Sequence, residues 1–280
     1  MKEGMTLKIP EYSVKMVIRY NNHHISNLSS QLAFDIMFSM VPFLILLLSL
    51  VGFINVNPES VLEFFTRMLP EQLYELVSTL TMQLLQTKNG NLLSVSLIFS
   101  LYTASRAFRA IRYGLNRAYN EEEDKNFIKV IISSIIFMVV IILLILFTLA
   151  VLVFGEMIGN ILIKWLGLSP RIFDYIKYLR YPIGIVGMIV VFSGIYKIIP
   201  SRKVKIMEAL PGAIFTSVVW TVSSMGFAYY VNNFGRYSDL YGSIGVIIIL
   251  MVWLKLTSIT ILLGGELNAI IMEDMKYRLK

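Results

Sequence analysis

An aspartate at position 35, a lysine at 255 and a glutamate at 266 stand inside long apolar runs, and Arg106 and Arg109 enter the end of another. A charge held in hydrocarbon costs ~2.5 to 3.5 kcal/mol on insertion scales and persists where it is paired or wet, so these five side chains are the candidates for a mechanism. The chemistry they offer is ion pairing and the binding of a charged ligand. On a continuous helix Lys255 and Glu266 fall about 20° apart around the axis and roughly 16 Å apart along it, so they share a face and cannot touch. That face is expected to look toward a bundle centre or a watery cavity, and its basic members favour an anionic ligand. The structural alternative has Glu266 pairing across helices with Arg106 or Arg109, and Asp35 as a near-interface residue reached by water.

Catalytic sets are scarce. His23 and His24 are adjacent, hence about 100° apart on a helix, which suits neither a shared metal nor a base with its orienting partner. There is no HxxxH pair, no GxSxG elbow and no phosphate-cradling glycine loop. The absence of cysteine excludes disulfides, thiolate metal sites and cysteine nucleophiles. The residues therefore point to a protein that is not an enzyme, with no catalytic residues, no metal and no cofactor.

The elements that must position these charges are set by the solvent. Of the 280 residues 56% are hydrophobic and 15% charged, and the mean hydropathy is +0.70, too little charge to cover a water-soluble surface. The apolar residues fall in blocks at 33–54, 92–111, 128–154, 176–199, 209–231 and 241–272, each about as long as a helix needs to cross ~30 Å of hydrocarbon. The fold class this predicts is all-α: a polytopic integral membrane protein with six transmembrane helices, forming a single membrane domain over 1–280. In the second block Arg106, Arg109 and Arg112 enter the C-terminal half, where long basic side chains can snorkel to the interface.

Two segments outside these blocks also read as helices. Within the lead at 1–31, Val14, Val17 and Ile18 recur at helical spacing beside Lys15 and Arg19, as in a short basic amphipathic helix anchored on a leaflet. The segment 57–88 carries Leu62, Phe65, Leu69, Leu73, Leu76, Leu80 and Leu84 at spacings of three or four, interrupted by Pro70, and is expected to form amphipathic helices on the outer face. Its solvent side is acidic, through Glu59, Glu63, Glu71 and Glu75.

Basic residues give the orientation, because cytoplasmic loops retain them. Lys2, Lys8, Lys15 and Arg19 lead the chain; Arg106, Arg109, Arg112, Arg117, Lys125 and Lys129 flank the second connection; Lys197, Arg202, Lys203 and Lys205 fill the fourth; Lys276, Arg278 and Lys280 end it. The opposite side holds far fewer. Both termini are thus expected in the cytoplasm, with the chain multi-pass in a bacterial inner (plasma) membrane. The net charge of +7 is accounted for by the lipid bilayer and its anionic headgroups as partners, without nucleic acid. No cleavable signal peptide is evident, and the first span is expected to serve as its own signal.

Proline and glycine add detail. Pro42 lies inside the first span and is expected to kink it, whereas Pro182 and Pro211 are expected near the starts of the fourth and fifth, where proline is tolerated. Gly264-Gly265 allows close packing, or a break in the last helix just before Glu266.

Three stretches carry a resemblance to a known family. The run Tyr102 to Tyr119, with Arg106, Arg109, Arg112 and Asn116, is one; Ile199-Pro200 followed by Ala209-Leu-Pro211-Gly212-Ala213 and Trp220 is the second; Tyr241-Gly242-Ser243-Ile-Gly245, continuing through Trp253 to Leu263-Gly264-Gly265-Glu266-Leu267-Asn268-Ala269, is the third. With Ser39-Met-Val-Pro42, they resemble the YihY/BrkB family, once labelled ribonuclease BN. The resemblance covers nearly the whole chain and implies a six-helix bacterial inner-membrane protein with cytoplasmic ends. Asp35 departs from its pattern. Two functions compete: a transporter or lipid-translocating protein enclosing a polar cavity lined by Asp35, Arg106, Arg109, Lys255 and Glu266, and a non-transporting scaffold or interaction protein in which buried charges only staple helices.

Overall fold

The computed structural model describes residues 9–53, 90–122, 128, 132–136, 171–234 and 243–278. Within them six long helices follow one another: α1 (Ile9–Asn22), α2 (Ile25–Phe53), α3 (Gly90–Ala118), α4 (Arg171–Ile198), α5 (Ile206–Phe234) and α6 (Ser243–Arg278). No strand occurs among the described residues. The apolar blocks 33–54, 92–111, 176–199, 209–231 and 241–272 overlap α2 to α6 in turn, without matching their ends. Most of the expected third span, all of the outer segment 57–88, and Tyr241 with Gly242 lie outside the described residues.

Local chemistry sets the helix ends. Between α1 and α2 the chain turns at His24, which adopts a positive φ of 53°, and the His24 carbonyl then accepts from the backbone N–H groups of Asn27 and Leu28. α3 stops by a Schellman arrangement: Asn120 takes φ 53°, its N–H reaches the Arg117 carbonyl at 3.2 Å and the Glu121 N–H reaches the Asn116 carbonyl at 2.9 Å. At the start of α5 the Glu208 carboxylate accepts from the Lys205 backbone N–H at 2.8 Å, half of a capping box.

These early starts change the place of two prolines. α5 begins at Ile206, so Pro211 is inside the helix rather than in its first turn; likewise α4 begins at Arg171, which places Pro182 well within it. Pro211 withholds the N–H that the Met207 carbonyl would otherwise accept. α2 continues through Pro42, and α6 runs unbroken through Gly264 and Gly265, so the glycine pair serves packing rather than a break.

α2 lies along α3 and α6, α4 along α5, and α5 along α6, while α1 folds across the ends of α6 and α2. The apolar core gathers at the basic end, where Leu32, Phe108, Leu115, Tyr196, Ala213, Ile261 and Ala269 are buried together. Outward faces are also apolar: Ile98, Val190, Val222, Met225 and Val252 are exposed. The interior instead buries small polar residues, among them Ser100, Thr103, Ser105, Thr216, Ser217, Ser258 and Thr260. An apolar exterior around a polar, close-packed interior is the pattern of helices that meet lipid outside and each other inside. Among the described residues two stretches, Ile206–Val231 and Ile247–Met275, are long and apolar enough to cross a membrane.

The approach of α5 to α6 is set by glycine. A methyl group built on Gly212 would overlap the Gly264 carbonyl and the Asn268 side chain, and one on Gly264 would overlap Thr216 and Tyr196. Further along the same pair, Trp220 and Trp253 meet edge to face with ring centroids 5.9 Å apart, and the Trp220 indole N–H donates to the Thr257 hydroxyl at 3.2 Å.

Candidate functional site

Glu266 is buried to 0% exposure, and its partners come from the other end of the sequence. Arg19 Nη1 lies 3.3 Å from one carboxylate oxygen, and His23 Nδ1 lies 2.5 Å from the other. Arg19 also donates to the Ala118 carbonyl at 3.1 Å and to Glu273 at 2.6 Å. These contacts tie α1 to the ends of α3 and α6. Further ties are Tyr12, whose hydroxyl donates to Asp274 at 3.0 Å, and Arg117, which donates to the Asn22 carbonyl at 3.2 Å.

The expected pairing of Glu266 with Arg106 or Arg109 is therefore not what occurs. The reason is depth: Gly265 packs against Leu115, which lies roughly 9 to 14 Å along α3 beyond those two arginines. Arg106 pairs instead with Asp35, its Nη2 2.9 Å from the Asp35 carboxylate, which is 3% exposed. That oxygen has no aligned hydrogen bond, so the contact is an ion pair without full satisfaction of the carboxylate. Asp35 is accordingly buried rather than set at a wet interface. Arg109 and Lys255 are both half-buried, and no carboxylate among the described residues pairs with either.

The residues that carry the family resemblance bind helices together. Asn268 accepts from the Gly212 N–H at 2.6 Å and donates to the Ala209 carbonyl at 3.2 Å, so one amide satisfies backbone groups at the start of α5, where Pro211 interrupts the helical ladder. Asn116 accepts from the Ser201 N–H at 2.8 Å and donates to its hydroxyl at 2.9 Å, and Arg112 donates to the same hydroxyl at 3.0 Å. The α4–α5 connection is thereby stitched to α3. Tyr196 donates to the Ile261 carbonyl at 2.8 Å and meets the Thr216 hydroxyl at 2.6 Å. Burial pushes the Tyr119 hydroxyl, just past α3, up to about 12 from its ordinary 10.0, with the Asn268 side chain acting in the opposite sense.

Arg19 and His23 are not among the site residues that the sequence offers. Their spacing of four places them on one helical face, but the sequence gives each a different reading: Arg19 suits lipid headgroups, and His23 pairs with His24 to no chemical purpose. No group of three or more His, Asp or Glu fit for a metal occurs among the described residues.

Beside this cluster an open apolar groove of about 550 Å³ runs between α1 and the α5–α6 pair, lined by Tyr12, Ser13, Met16, Val17, Tyr20, Phe215, Leu263 and Leu267. None of the five expected cavity residues lines it.

A family model described as virulence factor BrkB matches residues 16–280. The chain is 36% identical over 258 residues, 92% of its length and 94% of the relative's, to the ribonuclease-like protein YfkH of Bacillus subtilis. It is 24% identical over 252 residues to a UPF0761 membrane protein of Kangiella koreensis, spanning 60% of that protein. To a UPF0761 membrane protein of Pseudoalteromonas translucida it is 38% identical over 96 residues, covering 34% of this chain and 31% of the relative. No solved structure matches the chain.

Proposed function

The chain belongs to the BrkB family of membrane proteins, and from that premise we propose that it is a six-span protein of the bacterial inner membrane that transports, or translocates between leaflets, an anionic cargo. The alternation of basic loops supports six spans with both termini in the cytoplasm. One observation carries the cargo: Arg109 and Lys255 are half-buried, and no acidic partner faces either among the described residues, whereas Asp35 and Glu266 are each already engaged by cations. Retained cations at membrane depth need an anion or water. The ligand that completes them is anionic, and the paired carboxylates hold the walls rather than meet the cargo.

A second reading, the scaffold, is favoured by those same two pairs, since Asp35–Arg106 and Glu266–Arg19 join α2 to α3 and α1 to α6. The ribonuclease-like name of the Bacillus relative is not extended to this chain, because its one inward histidine is committed to Glu266 as an anchor for α1.

Water access at Lys255 separates the two. The natural chain has no cysteine, so Lys255→Cys introduces a single thiol for a membrane-impermeant maleimide applied from each side. Labelling that added anionic phospholipid blocks is the expected result. A folded protein whose introduced thiol is fully protected from both sides sinks the transport reading and leaves the scaffold.

A further inference from the structure

We infer that the groove beneath α1 is a seat for one acyl chain of a bilayer phospholipid, held open by the contacts that pin α1. This goes beyond the cargo reading and does not rest on it, because neither Arg109 nor Lys255 touches the groove.

The walls are apolar nearly throughout. Met16 and Val17 on α1 face Phe215 on α5 and Leu263 and Leu267 on α6, and the Tyr12 ring joins them while its hydroxyl is turned away to Asp274. Water in such a space would find few polar partners, and an empty one forfeits dispersion contacts along its whole lining. Collapse would remove the space, but α1 is not free to move in. It is fastened near one end by Tyr12 to Asp274 and at the other by Arg19 and His23 to Glu266. Val17 lies between these fastenings, within about two turns of helix from each, which fixes the gap that the wall residues leave.

What fills the gap follows from what lies beside it. Val17 belongs both to the groove wall and to the exposed apolar stripe of α1 with Val14 and Ile18. On α5, Phe215 stands between Ile214 and Val218, both exposed and apolar. Along Val17 and Phe215 the groove is thus continuous with the exposed apolar faces, and a hydrocarbon chain enters it on that side. An amphipathic helix of this kind lies at the depth where acyl chains begin, so the chain enters from the leaflet on which α1 rests.

The full-length protein is reconstituted in phosphatidylcholine vesicles containing a phospholipid with a mid-chain diazirine, irradiated, and the adducts mapped by mass spectrometry. Val222 and Met225, exposed to 64% and 69% on α5 outside the groove, report ordinary lipid contact. Adducts on Met16, Leu263 and Leu267 should exceed those controls several-fold, and Met16→Trp, which fills the groove, should bring them down to the control level without changing Val222. Groove adducts at or below the controls in the natural chain overturn the inference, and so do groove adducts that survive the filled variant. The comparison within the natural chain decides the matter even where the variant fails to insert. Maleimide labelling of the Lys255→Cys variant is indifferent to this outcome, so failure here and failure of the transport reading are told apart.

Discussion

Among the described residues two carboxylates are buried, Glu266 and Asp35, and they are treated differently. Glu266 is met on both oxygens, by Arg19 on one and His23 on the other, at the end of the molecule where the apolar core gathers. Among the described residues Asp35 meets Arg106 alone, whose own side chain is 38% exposed, and the oxygen it meets has no aligned hydrogen bond. A buried charge removed from a fully built site leaves its partners uncompensated, whereas one removed from a half-built site frees a cation that can reach water. The difference teaches that the basic end of the bundle is held by polar contacts as much as by packing, while the Asp35 level retains charge that the fold does not fully use.

That contrast is open to attack. Glu266→Ala should have the largest effect, on the order of 2–4 kcal/mol of stability, because it empties a closed interior and takes from His23 its carboxylate and from Arg19 one of two, Glu273 remaining; denaturant unfolding of the purified protein in detergent measures it, and a loss under ~1 kcal/mol would show that α1 does not depend on the pair. Next comes Gly212→Ala, whose added methyl meets the Gly264 carbonyl. Backbone cannot give way as a flexible side chain can, so a loss of about 1–3 kcal/mol is expected, read as a lowered Tm, and an unchanged Tm would mean that α5 and α6 stand further apart than described. Asp35→Asn should cost least, about 1 kcal/mol or less, since Arg106 is partly solvated and keeps a polar neighbour. A loss as large as that of Glu266→Ala would erase the distinction between the two sites.

Much of this arrangement is legible in residue order. Five of the six apolar blocks overlap helices among the described residues because length and hydropathy decide them locally, and the amphipathic lead folds as α1 for the same reason. Where residue order misleads, the cause is distance along the chain. Glu266 is legible as a buried carboxylate, but its partners lie 247 and 243 positions away, and no local pattern orders candidate cations across such a separation. Arg106 and Arg109 sit nearer in sequence and are the natural choice; only the register of α3 against α6, fixed by Leu115 on Gly265, excludes them. Pro182 and Pro211 mislead about helix starts because a proline by itself suggests a first turn. In the fold Asn268 supplies backbone contacts at the start of α5 that a solitary helix with an internal proline would lack.

The tie between Arg19 and Glu266 also sets a clock on biogenesis. α1 leaves the ribosome well before the helix that receives it, since 247 positions separate the two partners. At synthesis rates of ~5–20 residues per second the intervening chain takes on the order of 10–50 s to appear, and throughout that interval Arg19 and His23 have no carboxylate at 266 to dock on. Until α6 arrives the first helix has only its own amphipathic character to hold it. Closure of this contact marks that arrival: a nascent chain stalled before residue 266 keeps an undocked α1, and one that has passed it does not.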